Sequence, residues 1–113
     1  MRFFLPIFVL AVLAGCDLNT TTIKSEVKSP DGNYVATAFL NDAGATSSWS
    51  PQVHLRRVGE RLEHVGNVFV GYRSPNIQIE WMSASRLVIY CDCEVIQQVT
   101  NYHGITIEKR TPK

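Results

Sequence analysis

Cys91 and Cys93 are the two side chains whose spacing best suits chemistry. Thiols two positions apart on a strand face the same way, where they can form a disulfide, act as a redox pair or, with His103 nearby in sequence, bind a soft metal. On a regular strand their Cα atoms would lie about 6.6 Å apart, so a disulfide requires a bend there. Both cysteines also fit core positions, and we favour a core pair or a structural disulfide over a metal or redox role.

The third cysteine, Cys16, follows an apolar N-terminal run. Arg2, the apolar residues 3–13 and the small residues Ala14 and Gly15 have the order of a secretory signal peptide. As a helix this run would span only about 20 Å, which is too short for a hydrocarbon core of roughly 30 Å. Residues 13–16, Leu-Ala-Gly-Cys, resemble the lipobox of bacterial lipoprotein precursors, whose cysteine is acylated and becomes the first residue of the mature chain.

This resemblance implies the organisation of the whole chain. Residues 1–15 would be a cleaved signal peptide that forms a helix, residues 16–22 the lipidated cysteine with a polar tether, and residues 23–113 a β domain. A covalent lipid on Cys16 is the only cofactor expected, and its several acyl chains would make membrane attachment permanent. The protein would lie on the periplasmic side of the bacterial envelope. Asp17 resembles a retention signal, which favours the inner membrane over the outer membrane.

The mature chain would be small and electrically neutral. Removal of residues 1–15 leaves 98 residues, enough for one domain with a modest core. Loss of Arg2 lowers Lys plus Arg from 11 to 10, against 10 Asp plus Glu. A neutral surface gives no electrostatic basis for binding nucleic acid, so none is expected as a partner.

Apolar and polar residues alternate with a period of two, and turn residues recur every eight to twelve positions. This pattern predicts an all-β fold, a single small antiparallel sandwich or meander barrel of about seven strands. Ser29-Pro30-Asp31-Gly32 is predicted to be the turn of a first hairpin. Strands are predicted at residues 23–28, 33–40, 51–58, 61–65, 68–72, 77–82, 87–93 and 105–107.

Residues 41–50 are predicted to form the longest loop and are the candidate binding segment. The loop contains small and hydroxyl side chains around a single large aromatic residue, which has the character of an interface anchor. An equally weighted interpretation is that this aromatic residue folds back and covers the core. The candidate contact residues are Asp42, Thr46, Ser47, Ser48 and Trp49.

Several segments resemble known sequences. Residues 29–36 and 79–89 are similar to strand motifs of single WD40-like and TolB-type propeller blades, although the chain is too short for a propeller. Four segments in order resemble a family of small uncharacterised bacterial lipoproteins, which implies a compact envelope β domain and carries no catalytic residues. These segments are SPDG at 29–32, GATS at 44–47, GNVF at 66–69 and IEW at 79–81.

No catalytic constellation and no metal site is predicted. Ser47 and Ser48 lack a glycine-framed nucleophile turn, and His54 falls on the polar face of its strand, where exposure is expected. The leading hypothesis is therefore a non-enzymatic, lipid-anchored envelope protein whose β domain contacts a protein or glycan, with an inhibitor or immunity protein as a variant. The alternative is a thiol-redox or metal-binding protein that uses Cys91 and Cys93.

Overall fold

A computed structural model describes residues 20–42 and 49–112 of the chain. Within these residues the chain forms β-strands and no helix, which confirms the all-β prediction. The strands form a first sheet in the order β1-β2-β3-β4-β7 and a second sheet in the order β5-β6-β9-β8. Their bounds are β1 Thr20–Lys28, β2 Tyr34–Asp42, β3 Trp49–Arg57, β4 Phe69–Tyr72, β5 Gln78–Ser83, β6 Arg86–Tyr90, β7 Glu94–Gln98, β8 Asn101–Tyr102 and β9 Ile105–Arg110.

The predicted first hairpin is confirmed, and its turn is held by local hydrogen bonds. Gly32 adopts φ 78° and donates its amide to the Ser29 carbonyl at 2.9 Å. The Ser29 hydroxyl donates to Asp31 Oδ1 at 2.6 Å, and the Asn33 amide donates to the same oxygen. These bonds lower the pKa of Asp31, the Ser29 hydroxyl most strongly. The turn chemistry therefore sets where β1 ends and where β2 begins.

The core lies between the two sheets and consists mainly of apolar residues from both. Leu55 and Phe69 of the first sheet and Leu87 and Ile89 of the second are fully buried. Trp81 packs against this core, and its indole Nε1 donates to the Val27 carbonyl at 3.0 Å. This bond joins β5 to β1, the two strands that form facing edges of the two sheets.

The strand predicted at residues 61–65 does not form. Instead, the segment that follows β3 folds over the outer face of the first sheet, where His54 Nδ1 lies 3.1 Å from the Val65 carbonyl. The prediction that His54 is exposed was therefore wrong, since only 5% of its surface remains accessible. Backbone groups of this segment form hydrogen bonds with polar side chains of β3. The Gly66 amide, for example, donates to Gln52 Oε1.

Of the two predicted alternatives the structure has the sandwich of two sheets, although its connections do not follow a simple meander. β6 pairs with β9 in parallel, and the chain between them passes through β7 in the other sheet. The strand predicted at residues 87–93 ends at Tyr90, and β7 and β8 were not predicted. β1 begins at Thr20, within the segment predicted as a tether.

The outer face of the first sheet carries a small polar network. Arg56 Nη2 forms an ion pair with Glu26 at 3.1 Å, and both side chains bond the buried Thr37 hydroxyl. The Thr37 hydroxyl, followed by Arg56, lowers the pKa of Glu26. Arg57 lies over the Tyr34 ring. Both arginines are therefore engaged in structural contacts.

The register of the strands defines two ends of the domain. Thr20 pairs with Asp42, which pairs with Trp49, and the Arg73 and Ser74 amides reach the Trp49 carbonyl. We call this the Thr20 end. The turns at residues 29–33, 58–60, 84–85 and 103–104 lie at the opposite end, the Lys28 end.

Candidate functional site

A groove opens between the facing edges of β1 and β5, toward the Thr20 end. It encloses about 890 Å³ and is continuous with a second depression along the same two strands. The polar residues that line it come from five different parts of the chain and carry charges of both signs. They are Lys24, Arg73, Ser74, Asn76, Gln78, Glu80, Tyr90 and Asp92.

The groove exists because the two edges meet at only one end. Near the Lys28 end the Trp81 indole closes β5 onto Val27. Toward the Thr20 end the edges separate, and a β-bulge at Lys24 interrupts the pairing of β1 with β2 between Ile23 and Ser25. A bulge bends its strand and redirects a side chain. Here it places Lys24 among the groove residues.

The groove holds its charges in different ways. The Tyr90 hydroxyl donates to Glu80 Oε1 at 3.0 Å, which orients that carboxylate. Arg73 Nε lies 3.4 Å from Glu94 Oε2 in an exposed ion pair. Lys24 forms no ion pair with any residue in the described part of the chain. Its ammonium group is therefore the available cation of the groove.

Arg73 sits on the rim in a strained backbone conformation. Its φ is 67°, a left-handed value that few residues other than glycine adopt, and a bond from its amide to the Trp49 carbonyl at 2.9 Å supports it. Strain of this kind costs roughly 1–3 kcal/mol and persists only where surrounding contacts impose it. The turn that follows β4 is thus held in position by β3.

A disulfide joins Cys91 and Cys93 beside the groove, where the chain leaves the second sheet for the first. The chain bends here, and the two Cα atoms are 5.4 Å apart, closer than on a regular strand. Cys91 is fully buried, whereas Asp92 is exposed and lines the groove. A Cβ atom added to Gly71 would lie 2.8 Å from Cys93 Sγ, so the disulfide packs directly on β4.

The predicted binding loop is shorter than expected. β2 and β3 continue to Asp42 and Trp49, which pair with each other. Trp49 is half-buried and packs against the core, as the second interpretation proposed. Asp42 lines a separate cavity of about 560 Å³ with residues that include His64. The candidates Thr46, Ser47 and Ser48 lie outside the described residues.

Cys16, which is the predicted lipidation site, also lies outside the described residues, as do Asp17 and the residues of the expected signal helix. In the part that is described, no three His, Cys, Asp or Glu side chains are grouped so that they could hold a metal ion. Residues 20–42 and 49–112 contain no helix long and apolar enough to cross a membrane. His103 makes an edge contact with the Tyr102 ring at the Lys28 end, far from the disulfide.

The groove residues Lys24, Glu80 and Tyr90 were not singled out from the sequence. Glu80 and Tyr90 occupy ordinary polar positions of alternating strands, and their neighbourhood depends on the pairing of β5 with β6. The spacing of Ile23 and Val27 gives no indication of the bulge in β1. Four positions apart, these residues should share a face, but their partners Phe39 and Ala36 lie on opposite faces because of the bulge.

Comparison with known proteins gives one match. Residues 5–103 match the model of a family described as "Family of unknown function (DUF5412)". Neither the curated proteins nor the solved structures contain a match to the chain.

Proposed function

Since the chain belongs to the DUF5412 family, whose function is not established, we propose from its own residues that it is a lipid-anchored protein of the bacterial envelope. Its β domain would act as a non-enzymatic binding module for a protein or glycan. The N-terminal run and the lipobox-like residues 13–16 support the anchor. Lipidation of Cys16 after cleavage would leave the β domain attached to the membrane on the periplasmic side.

The lipobox-like residues 13–16 are the observation that carries this proposal, and the short distance between Cys16 and the first strand would set the orientation of the domain. β1 begins at Thr20, four residues after Cys16. A fully extended chain spans at most about 3.6 Å per residue, so Thr20 would lie within roughly 14 Å of the lipidated cysteine. The Thr20 end, with its groove, would therefore face the bilayer surface, and the Lys28 end would face away from it.

A binding role is supported by where the histidines lie. The His54 imidazole is buried against the Val65 carbonyl, and His103 contacts Tyr102 at the Lys28 end. Neither of these residues lines the groove, nor does His64, which lines the separate cavity of about 560 Å³, so among the described residues the groove contains no imidazole that could act as a general base. Polar side chains held by hydrogen bonds, such as Glu80 beside Tyr90, suit recognition of a ligand.

Incorporation of labelled palmitate tests the anchor. We expect the wild-type chain to retain the label in the membrane fraction and Cys16→Ala to lose both the label and membrane retention. The double variant Cys91→Ala/Cys93→Ala is the matched control, since it removes the other two cysteines and should keep the label. Label retained by Cys16→Ala would contradict the proposal.

The membrane that holds the anchor is tested separately. Asp17 directly follows the cysteine, and we propose that it retains the protein in the inner membrane. Asp17→Ser should move the protein to the outer-membrane fraction, whereas Asp31→Ser, in a distant turn, should leave its fractionation unchanged. An unchanged distribution of Asp17→Ser would contradict this assignment while leaving the anchor itself intact.

The disulfide favours one second candidate, a thiol-redox or metal-binding role for Cys91 and Cys93. It closes a loop of only three residues, and chain entropy predicts a modest stabilisation of about 1.6 kcal/mol for such a loop. Equilibration in glutathione buffers with thiol titration tests the redox role, and metal analysis of the reduced protein tests the binding of a soft metal. A pair that stays oxidised throughout and binds no metal would exclude both roles.

A further inference from the structure

The geometry points to a ligand for the groove, and this inference rests on the proposed anchoring at Cys16. We propose that the groove binds the headgroup of a zwitterionic phospholipid, one that carries a phosphate and a primary ammonium group. The groove lies at the Thr20 end, so lipidation would bring it close to the headgroup layer.

The charges of the groove are complementary to such a headgroup. Lys24 and Arg73 offer two cations, and Glu80 and Asp92 offer two carboxylates, all lining one cavity. Charge-assisted hydrogen bonds to phosphate and to ammonium are stronger than neutral ones. A ligand of a single charge would contact only the cations or only the carboxylates of the groove, whereas a zwitterion can contact both.

The cationic side of the groove is built by the bulge in β1. At the bulge Lys24 has no partner on β2, and it lines both parts of the groove. Its ammonium forms no ion pair within the described residues, so it is available to a phosphate. Lys28, at the other end of the same strand, lines no part of the groove and provides a matched control.

The anionic side of the groove is held in place by neighbouring groups. The Tyr90 hydroxyl fixes one oxygen of Glu80 at 3.0 Å. Asp92 lies between the two disulfide-bonded cysteines, which restricts its backbone. Pre-positioned carboxylates lose less entropy when they bind an ammonium group, and this favours recognition of a small ligand.

An extended peptide fits the groove less well. Peptides that add to a sheet require a regular edge with a continuous row of free backbone groups. The bulge interrupts this row in β1, and a charged lysine on an edge strand opposes pairing. Recognition through side-chain charges therefore agrees better with these edges than strand addition does.

A titration of the full-length lipidated protein in non-ionic detergent tests the headgroup proposal. The probe is glycerophosphoethanolamine, with glycerol phosphate and ethanolamine as the single-charge controls, and binding is followed by NMR. We expect the zwitterion to bind at least tenfold more tightly than either control. Lys24→Gln and Glu80→Gln should each weaken its binding about tenfold, whereas Lys28→Gln should leave it unchanged.

A second experiment, in vesicles, tests whether the ligand is a membrane lipid or a soluble zwitterion. In vesicles with phosphatidylethanolamine, Lys24 of the lipidated protein should be protected from an amine-reactive reagent relative to Lys28. In vesicles of phosphatidylglycerol alone this protection should disappear. Equal protection in both vesicles would overturn the lipid as the ligand.

Two further results would overturn the proposal. One is equal weakening by Lys24→Gln and Lys28→Gln, and the other is tighter binding of a dipeptide, which would assign the groove to peptide ends. Because the soluble probe needs no anchor, the titration is repeated with Cys16→Ala. If neither the wild type nor Cys16→Ala carries palmitate but both bind the probe, the anchoring proposal has failed while the assignment of the groove stands.

Discussion

The two ends of the domain are built in different ways. At the Lys28 end, each turn is closed by bonds between near neighbours, such as the Gly32 amide to the Ser29 carbonyl and the Gly104 amide to Asn101 Oδ1. At the Thr20 end, the contacts join distant parts of the chain. The Ser50 hydroxyl donates to the Gly71 carbonyl, and the Arg73 amide donates to the Trp49 carbonyl.

This difference explains why the groove lies where it does. Short turns close the Lys28 end, and Trp81 draws the two sheets together nearby. The Thr20 end instead has a disulfide, a strained Arg73 and a bulge at Lys24, and the groove between β1 and β5 lies among these features. Functional sites commonly lie where tertiary contacts hold irregular backbone in place.

Removal of the Trp81 side chain, which closes the Lys28 end, should cause the largest loss in the free energy of unfolding. Trp81→Ala deletes a large side chain packed on the core and the hydrogen bond to Val27. We expect the free energy of unfolding to fall by about 3 kcal/mol. Urea unfolding followed by circular dichroism measures this loss.

The conservative variant separates packing from the hydrogen bond. Trp81→Phe keeps an aromatic ring but leaves the Val27 carbonyl without its donor, so a loss of about 1 kcal/mol is expected. Equal losses in the two variants would contradict the account, because they would mean that ring packing contributes nothing to closing the Lys28 end.

Crowding the disulfide should have the next largest effect, at the Thr20 end. Gly71→Ala would bring its Cβ within 2.8 Å of Cys93 Sγ, and overpacking of this kind costs about 2 kcal/mol. Chemical denaturation measures this cost. In the Cys91→Ala/Cys93→Ala background the cost of Gly71→Ala should fall to about 1 kcal/mol, since the sulfur atom is absent. A cost that is the same in both backgrounds would contradict this packing.

Reduction of the disulfide should have a smaller effect, confined to the Thr20 end. Opening a loop of three residues is expected to lower the free energy of unfolding by about 1.6 kcal/mol. Hydrogen exchange should accelerate in Glu94–Gln98, which follows the disulfide, and stay unchanged in the 29–33 turn. Faster exchange at both ends would contradict the separation between them.

The ion pair of Glu26 should give the smallest effect, and it depends on pH. The pKa of this carboxyl is lowered in the folded protein from its ordinary value of 4.5, chiefly by the Thr37 hydroxyl and then by Arg56. Its stabilisation is thus present above that value and is lost as the pH falls through the folded pKa. Because Glu26 is 47% exposed, solvent screening limits the effect to about 0.5 kcal/mol.

A pH series with two variants checks this prediction. Glu26→Gln should be less stable than the wild type at pH 7 and equally stable at pH 2, by thermal unfolding. Glu63→Gln, an exposed substitution in the segment after β3, should match the wild type at both values. A difference between Glu26→Gln and the wild type that persists at pH 2 would contradict the assigned cause.

The Lys28 end was largely predictable from the sequence, and the Thr20 end was not. Turn residues such as Asp31 and Gly32 act on their immediate neighbours, so their pattern predicts the hairpin. The groove depends on the bulge at Lys24, which shifts the phase of alternation, and on the chain changing sheets after Tyr90. Neither event leaves a local pattern. The burial of His54 was missed because residues 61–65 have the pattern of a strand, whereas in the structure this segment folds over the outer face of the first sheet and its Val65 carbonyl lies 3.1 Å from His54 Nδ1.

The orientation of the domain on the membrane is the central claim, and the two tryptophans can measure it. Trp49 lies at the Thr20 end, whereas Trp81 bonds Val27, seven residues along β1 from Thr20, a distance of about 20 Å. The variants Trp81→Phe and Trp49→Phe each leave a single tryptophan. The lipidated protein is then placed in vesicles that contain lipids with a spin-labelled headgroup.

Fluorescence quenching by these headgroups gives the relative depth of each tryptophan directly. We expect strong quenching of Trp49 and weak quenching of Trp81, because the anchor at Cys16 would hold the Thr20 end against the bilayer. Equal quenching of the two residues, or stronger quenching of Trp81, would contradict this orientation.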